Sequence, residues 1–147
     1  MSISAQASGE RSHQETLSIL ARADSHRLKS FAESLIAQFE DIEVVNNRSG
    51  LVMLPMRDTA QGTAFHLGEV LVSEAHITSR DAIGYGMRTG RDLEAAMAMA
   101  IIDLAIASNI SKQDCRDFLD GEAQMLAAVD DAVLRKVEAT RVDMETF

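Results

Sequence analysis

Tryptophan is absent from this chain, and tyrosine, proline and cysteine occur once each, as Tyr85, Pro55 and Cys115. A single cysteine excludes an internal disulfide and any cysteine-rich metal site. Long hydrophobic runs are missing too. The longest, Ala95 to Ala107, is broken by Asp103 and falls short of the ~20 residues a bilayer span requires. The opening "MSISAQASGERSHQ" has no basic start followed by an apolar run, so no secretory signal is expected and the location should be cytoplasmic. Cations are scarce, with 14 Lys and Arg against 23 Asp and Glu and a net charge of -9. That balance argues against nucleic acid or an anionic membrane as the main partner.

Catalytic patterns are equally thin. No phosphate-binding glycine loop or dinucleotide fingerprint is present; Gly84-Tyr85-Gly86 lies inside a strand pattern and lacks a third glycine. Cys115 falls on an apolar helix face, which suits an inert buried thiol. His66 and His76 share a strand face, but ten residues at about 3.3 Å each separate them by ~33 Å, too far to ligate one metal. His13 and His26 fall on polar helix sides and are expected in solvent. No metal or cofactor is expected on this chain.

What remains is an ordinary soluble composition, 46% hydrophobic and 25% charged over 147 residues, enough for one domain with a real core. Residues 1–11 are small and polar and are expected to be disordered; residues 12–147 form the domain. There are eight methionines, which fill core gaps or suit interaction surfaces.

Leu28, Phe31, Ala32, Leu35, Ile36 and Phe39 follow one helix face. Leu17, Leu20 and Ala21 precede them, and Asp24 or Ser25 can cap between, giving two helices or one with a bend. In "IEVVNNRSGLVMLPMR" two apolar runs flank a turn-like Asn46–Gly50 segment, which predicts a hairpin. Pro55 places its strand at an edge or a bulge. A loop at "DTAQGTA" leads to a third strand with Phe65, Leu67, Leu71, Ala75 and Ile77 on one face. A fourth strand carries Ile83, Tyr85 and Met87. Four strands without crossovers predict an antiparallel meander.

Thr89 and Asp92 have capping-box spacing for a helix that is apolar nearly all round, and so buried on several sides. Ser111 to Asp114 predicts a second box. Gly121 is expected to break that helix before a last one with Leu126, Val129, Val133 and Val137 inward. The tail "ATRVDMETF" has no supporting face. The fold class is α+β: a four-stranded antiparallel meander with N-terminal and C-terminal helices packed on it.

The surviving cluster is Tyr85, Arg88, Arg91 and Asp92. Cations at a helix start are locally unfavourable. Either Arg91, with Arg88, joins helix N–H groups in an anion or phosphate site, or Arg91 pairs with a carboxylate such as Asp103 or a partner's residue. Arg88 and Tyr85 point to opposite sides of the pleat. Asp103, a carboxylate in an apolar helix, is expected to anchor an arginine or cap a backbone amide rather than catalyse.

The segments "FHLGEVLV", "GYGMRTGRD", "IIDLA" and "VEATRVDMETF", in this order, resemble the PhnG subunits of bacterial carbon–phosphorus lyase. The resemblance runs from about "LSILARA" to the end. The most specific pieces are Gly90-Arg91-Asp92, Asp103 and Thr140-Arg141-Val142-Asp143. The chain departs from the family at Thr16, where a tryptophan is common, and at Ala64, where proline is. It departs again at Ser73-Glu74-Ala75, usually Thr-Arg-Cys, and in the tail, where Met144 follows Asp143.

The resemblance implies an accessory subunit working with PhnH, PhnI, PhnJ and PhnL. ATP and an alkylphosphonate are the substrates of the complex, adenine is released, and this subunit is inactive alone. It implies that exposed methionines, the apolar helix and the tail are surfaces for partner subunits. By position, Gly68 and Glu69 match a Leu-Gly-Glu turn, where Gly68 allows close backbone approach and Glu69 pairs with a subunit or faces solvent. Tyr85, Gly90, Arg91 and Asp92 match the strand-to-helix junction; Arg141 and Asp143 match the tail, where docking is favoured over ligand contact. Each is assigned to assembly first and phosphate recognition second. A homodimer of the isolated chain is compatible with this. The rival readings are a homo-oligomeric binder of a phosphorylated metabolite and, least supported, an enzyme using Glu69, Tyr85 and Arg91.

Overall fold

The computed structural model describes residues 10–57 and 64–145, with the side chains of 54–57, 64–67 and 141–145 left aside. The chain runs α1 (His13–Arg22), α2 (Ser25–Ile36), β1 (Glu43–Arg57), β2 (Ala64–Ser79), β3 (Ala82–Thr89), α3 (Leu93–Ala107) and α4 (Lys112–Glu145). The class is α+β. Of the segment expected to be disordered, residues 1–9 lie outside the described residues, as does 58–63 of the expected loop. Glu10 and Arg11 form ion pairs with Lys112 (3.3 Å) and Asp120 (2.7 Å).

The N-terminal helices are separate because each has its own cap. Ser12 accepts from the Glu15 amide at 3.1 Å and Asp24 from the Arg27 amide at 3.0 Å; a capping acceptor satisfies a donor that the first helical turn leaves free. Leu28, Ala32 and Leu35 of α2 face the core, and the Phe31 ring stacks on Phe118 with centroids 4.6 Å apart.

The expected four-stranded meander is corrected to a sheet of three described strands, in the order β1-β2-β3, both pairs antiparallel. The segment read as a hairpin is one 15-residue strand, because the 16-residue β2 offers it a partner along nearly its whole length. Asn46 to Gly50 pair with His76 to Val72. The turn-forming residues instead use their polar side chains across the ladder: Asn46 Nδ2 donates to Glu74 at 3.2 Å, and Arg48 Nε lies 3.6 Å from the same carboxylate. The irregularities are bulges between Val44 and Asn46 and between Leu54 and Pro55. Pro55 therefore lies on an edge strand at a bulge, where its missing N–H costs no ladder bond. A tight turn at Arg80, with φ 55, joins β2 to β3.

Helix α3 lies across β2 and β3 on one side and against α2 on the other. Ala95 to Ala105 are buried apart from Met97. Burial on several sides was expected; the neighbours that supply it are this chain's own, so α3 is core and not a face for other subunits. Helix α4 is continuous over 34 residues. Gly121 does not break it, and the tail remains helical to Glu145, because Cys115, Leu119 and Glu122 anchor its first half. The second half is another matter: Val129, Val133 and Val137, expected inward, are each more than half exposed. Among the described residues no helix is long and apolar enough to cross a membrane.

Candidate functional site

The last strand reaches α3 through a junction whose residues divide between opposite faces of the sheet. Gly84 and Gly86 face α3. A Cβ at either would lie well inside van der Waals contact with the carbonyl oxygen of Ala100 or Ala96, so the glycines let helix and strand approach closely. Tyr85, between them, projects to the other face. Its hydroxyl donates to Glu74 at 2.9 Å, and its ring meets His76 edge-on at 6.4 Å. Burial, then the bonded Glu74 carboxylate, pushes the phenol up to about 12. A phenol so disfavoured as an anion is a poor base at neutral pH.

Arg88 returns to the α3 side and donates to the carbonyls of Leu20 and, at 2.8 Å, Ala23. These are at the C-terminal end of α1, where unsatisfied carbonyls and the negative helix pole both favour a cation. Burial pulls the guanidinium below its ordinary pKa, opposed by Asp92, Asp24 and Glu122. Arg88 and Tyr85 diverge, as the pleat requires.

Thr89 does not cap α3, because it still pairs with Val72 in the sheet. The cap is Asp92, which accepts from the Ala95 amide at 3.0 Å, while its other oxygen receives Lys29 at 2.9 Å. Both bonds favour the carboxylate and hold its pKa below the usual range, Lys29 contributing most. The arginines therefore precede the helix instead of sitting in its first turn. Gly90, at φ 95, occupies a backbone region that side chains disfavour. Its amide donates to Leu71 at 2.8 Å, and Ser73, fully buried, donates to its carbonyl at 2.8 Å and accepts from the Asp92 amide at 2.9 Å. Arg91 stands exposed at the apex, with no hydrogen-bond or ion-pair partner among the described residues.

Asp103, 3% exposed, accepts from the Tyr85 backbone amide at 2.9 Å and lies 2.9 Å from His13 Nε2. It caps a backbone amide, one of the two roles expected, and does not hold Arg91. His13 is exposed, as expected, its side chain 67% accessible, and its ring in addition bonds Asp103. Glu69 is exposed and pairs with Met53; it lies seven positions along β2 from His76, the partner of Tyr85, about 23 Å away. The enzyme trio of Glu69, Tyr85 and Arg91 is thus not assembled. A Cβ at Gly68 would meet nothing within 4 Å, so close backbone approach is not its role. Arg141 and Asp143 belong to the distal part of α4, and their side chains lie outside the described ones.

Sequence reasoning missed Ser73, Lys29 and the buried Glu122, which takes Arg27 Nε at 2.7 Å. None carries a local signal, because each acts on a residue far away in the chain. Among the described residues no group of His, Cys, Asp and Glu is placed to hold a metal. The junction supplies one free guanidinium and a tightly bonded loop; it does not supply an acid–base pair. Most of the exposed large apolar residues lie elsewhere, on α4 and along β1 at Val44, Val45, Leu51, Val52 and Met53.

Two comparisons bear on this arrangement. The family model described as "Phosphonate metabolism protein PhnG" matches residues 11–147. The alpha-D-ribose 1-methylphosphonate 5-triphosphate synthase subunit PhnG of Rhizobium meliloti (strain 1021) is 29% identical over 140 residues, covering 95% of this chain and 90% of the relative.

Proposed function

Because this chain belongs to the PhnG family of phosphonate metabolism proteins, we propose that it is an accessory subunit of a carbon–phosphorus lyase core complex. In that complex it acts with PhnH, PhnI and PhnL in transferring the ribose triphosphate part of ATP to an alkylphosphonate with loss of adenine, and PhnJ completes the assembly in the cytoplasm. The chain supplies surface and not catalysis. Beyond family membership, the observation that carries this reading is the second half of α4, where Val129, Val133 and Val137 form a stripe more than half exposed. Such an apolar stripe marks a protein–protein surface.

Two features support the accessory role. Tyr85, Asp92 and Asp103 are bonded within the fold, and Arg88 is spent on α1. A phosphorylated-metabolite binder built on Arg88 and Arg91 together is therefore weakened, since one guanidinium remains. Arg91 is assigned to a subunit contact or to a phosphate bound at that contact. Co-expression with PhnH-, PhnI- and PhnJ-type subunits tests the reading: the chain should co-purify in a defined complex, and synthesis of the ribosyl phosphonate should require it. Purification apart from those subunits, with full synthesis in its absence, would overturn it.

A further inference from the structure

A cavity of about 510 Å³ opens between the start of α1, the end of α3 and the start of α4, within the size range of small-molecule sites. It is remote from the junction around Arg91. One wall is apolar: Ile106, Cys115 and Leu119, with Cys115 and Leu119 buried. Thr16 is 4% exposed, and its hydroxyl has no hydrogen-bond partner among the described residues. No buried side-chain polar atom among the described residues is left without a partner, so this hydroxyl is one that solvent reaches, and Thr16 lines the cavity.

The charges sort in a specific way. Arg11 is held by Asp120 and Lys112 by Glu10. That leaves Arg116 on α4 and Glu15 on α1, both lining the cavity, with no ion-pair partner among the described residues. The side chains left over are thus one cation and one anion on different walls, beside an apolar surface and a free hydroxyl.

We infer that this cavity binds a small zwitterion with a short apolar body, of the class of aliphatic α-amino acids. The ligand carboxylate meets the Arg116 guanidinium, whose planar fork matches it in two bonds. The ammonium meets Glu15, the hydroxyl of Thr16 completes the polar contacts, and the side chain covers Ile106, Cys115 and Leu119. A net-neutral ligand also suits a chain of charge -9, which would repel a simple anion. The inference stands apart from the subunit reading and is tested on the isolated full chain.

Calorimetric titration with alanine, valine and leucine is the experiment, alongside isocaproate and isoamylamine, the analogues of leucine lacking its ammonium or its carboxylate. Saturable one-to-one binding is expected, strengthening with side-chain size, and both analogues should bind about tenfold more weakly than leucine. Arg116→Gln and Glu15→Gln should each cost about tenfold as well, and Thr16→Val less; Arg91→Ala should change nothing. No saturable binding of any amino acid overturns the inference, as does isocaproate binding as tightly as leucine, or indifference to both charge-removing substitutions.

Discussion

Asp103 and Tyr85 are joined through a side chain of α3 and the backbone of β3: a carboxylate oxygen accepts the Tyr85 amide at 2.9 Å. Because β3 is an edge strand, this donor has no further strand to serve it, and the helix supplies the acceptor. The other carboxylate oxygen takes His13, so one buried residue ties α1, β3 and α3 together.

Removing that acceptor should therefore act on the fold. Asp103→Ala is expected to lower unfolding free energy by ~2–4 kcal/mol, since it strips a buried amide of its partner. Asp103→Asn, which keeps an acceptor oxygen, should cost less. Urea denaturation measures both, and an unchanged midpoint for the alanine variant would contradict the assignment.

Glycine substitutions should separate by position. At Gly86 a Cβ meets the α3 backbone, so Gly86→Ala should cost about 2 kcal/mol or more as the helix is displaced. At Gly121, inside α4, a Cβ meets nothing within 4 Å, and Gly121→Ala should stabilise by ~0.5–1 kcal/mol through helix propensity. Thermal unfolding of the two variants in opposite directions is the expected result.

The single tyrosine makes a clean alkaline titration, since tryptophan is absent. Phenolate absorbance should rise with a midpoint of about 12 in the folded protein, against about 10 in an unfolded chain. Because the folded value is the higher, this contribution to stability is complete below pH ~10 and is lost as pH rises toward 12. Glu74→Ala should move the midpoint down; a midpoint near 10 in the wild type would refute the Tyr85–Glu74 bond.

Arg88 and Arg91 should behave differently although they stand three residues apart. Arg88→Ala releases the carbonyls of Leu20 and Ala23 and should cost ~1.5–3 kcal/mol, with faster amide exchange in α1. Arg91→Ala should leave stability within about 0.5 kcal/mol. Equal effects from the two variants would mean that Arg91 also holds the fold.

These contrasts mark what the residues disclose locally and what they do not. The face formed by Leu28, Ala32 and Leu35 and the opposite projection of Tyr85 and Arg88 follow from periods of 3.6 and 2, and the edge position of Pro55 from its missing N–H. Asn46 to Gly50 misled because turn propensity is local, whereas pairing with His76 to Val72 is decided by a strand far away in the chain. Thr89 misled similarly: a capping box was legible, but the ladder bond to β2 keeps Thr89 in the sheet and moves the helix start to Asp92. In α4, Val129, Val133 and Val137 have the spacing of an inward face, and spacing does not say whether the face is met by the same chain or by another.

That last ambiguity gives the decisive variant. Val129→Gln, Val133→Gln and Val137→Gln together remove the exposed stripe, and glutamine favours helix at least as well as valine. Since these positions are each more than half exposed, the triple variant should fold with stability within about 1 kcal/mol of the wild type. Its co-purification with the other complex subunits should fall sharply, because an apolar face presented to a partner contributes only when a partner covers it. If the variant unfolds readily, the stripe is part of the monomer's own packing. If it folds and assembles as the wild type does, α4 is not the docking element, and the exposed apolar residues of β1 inherit that role.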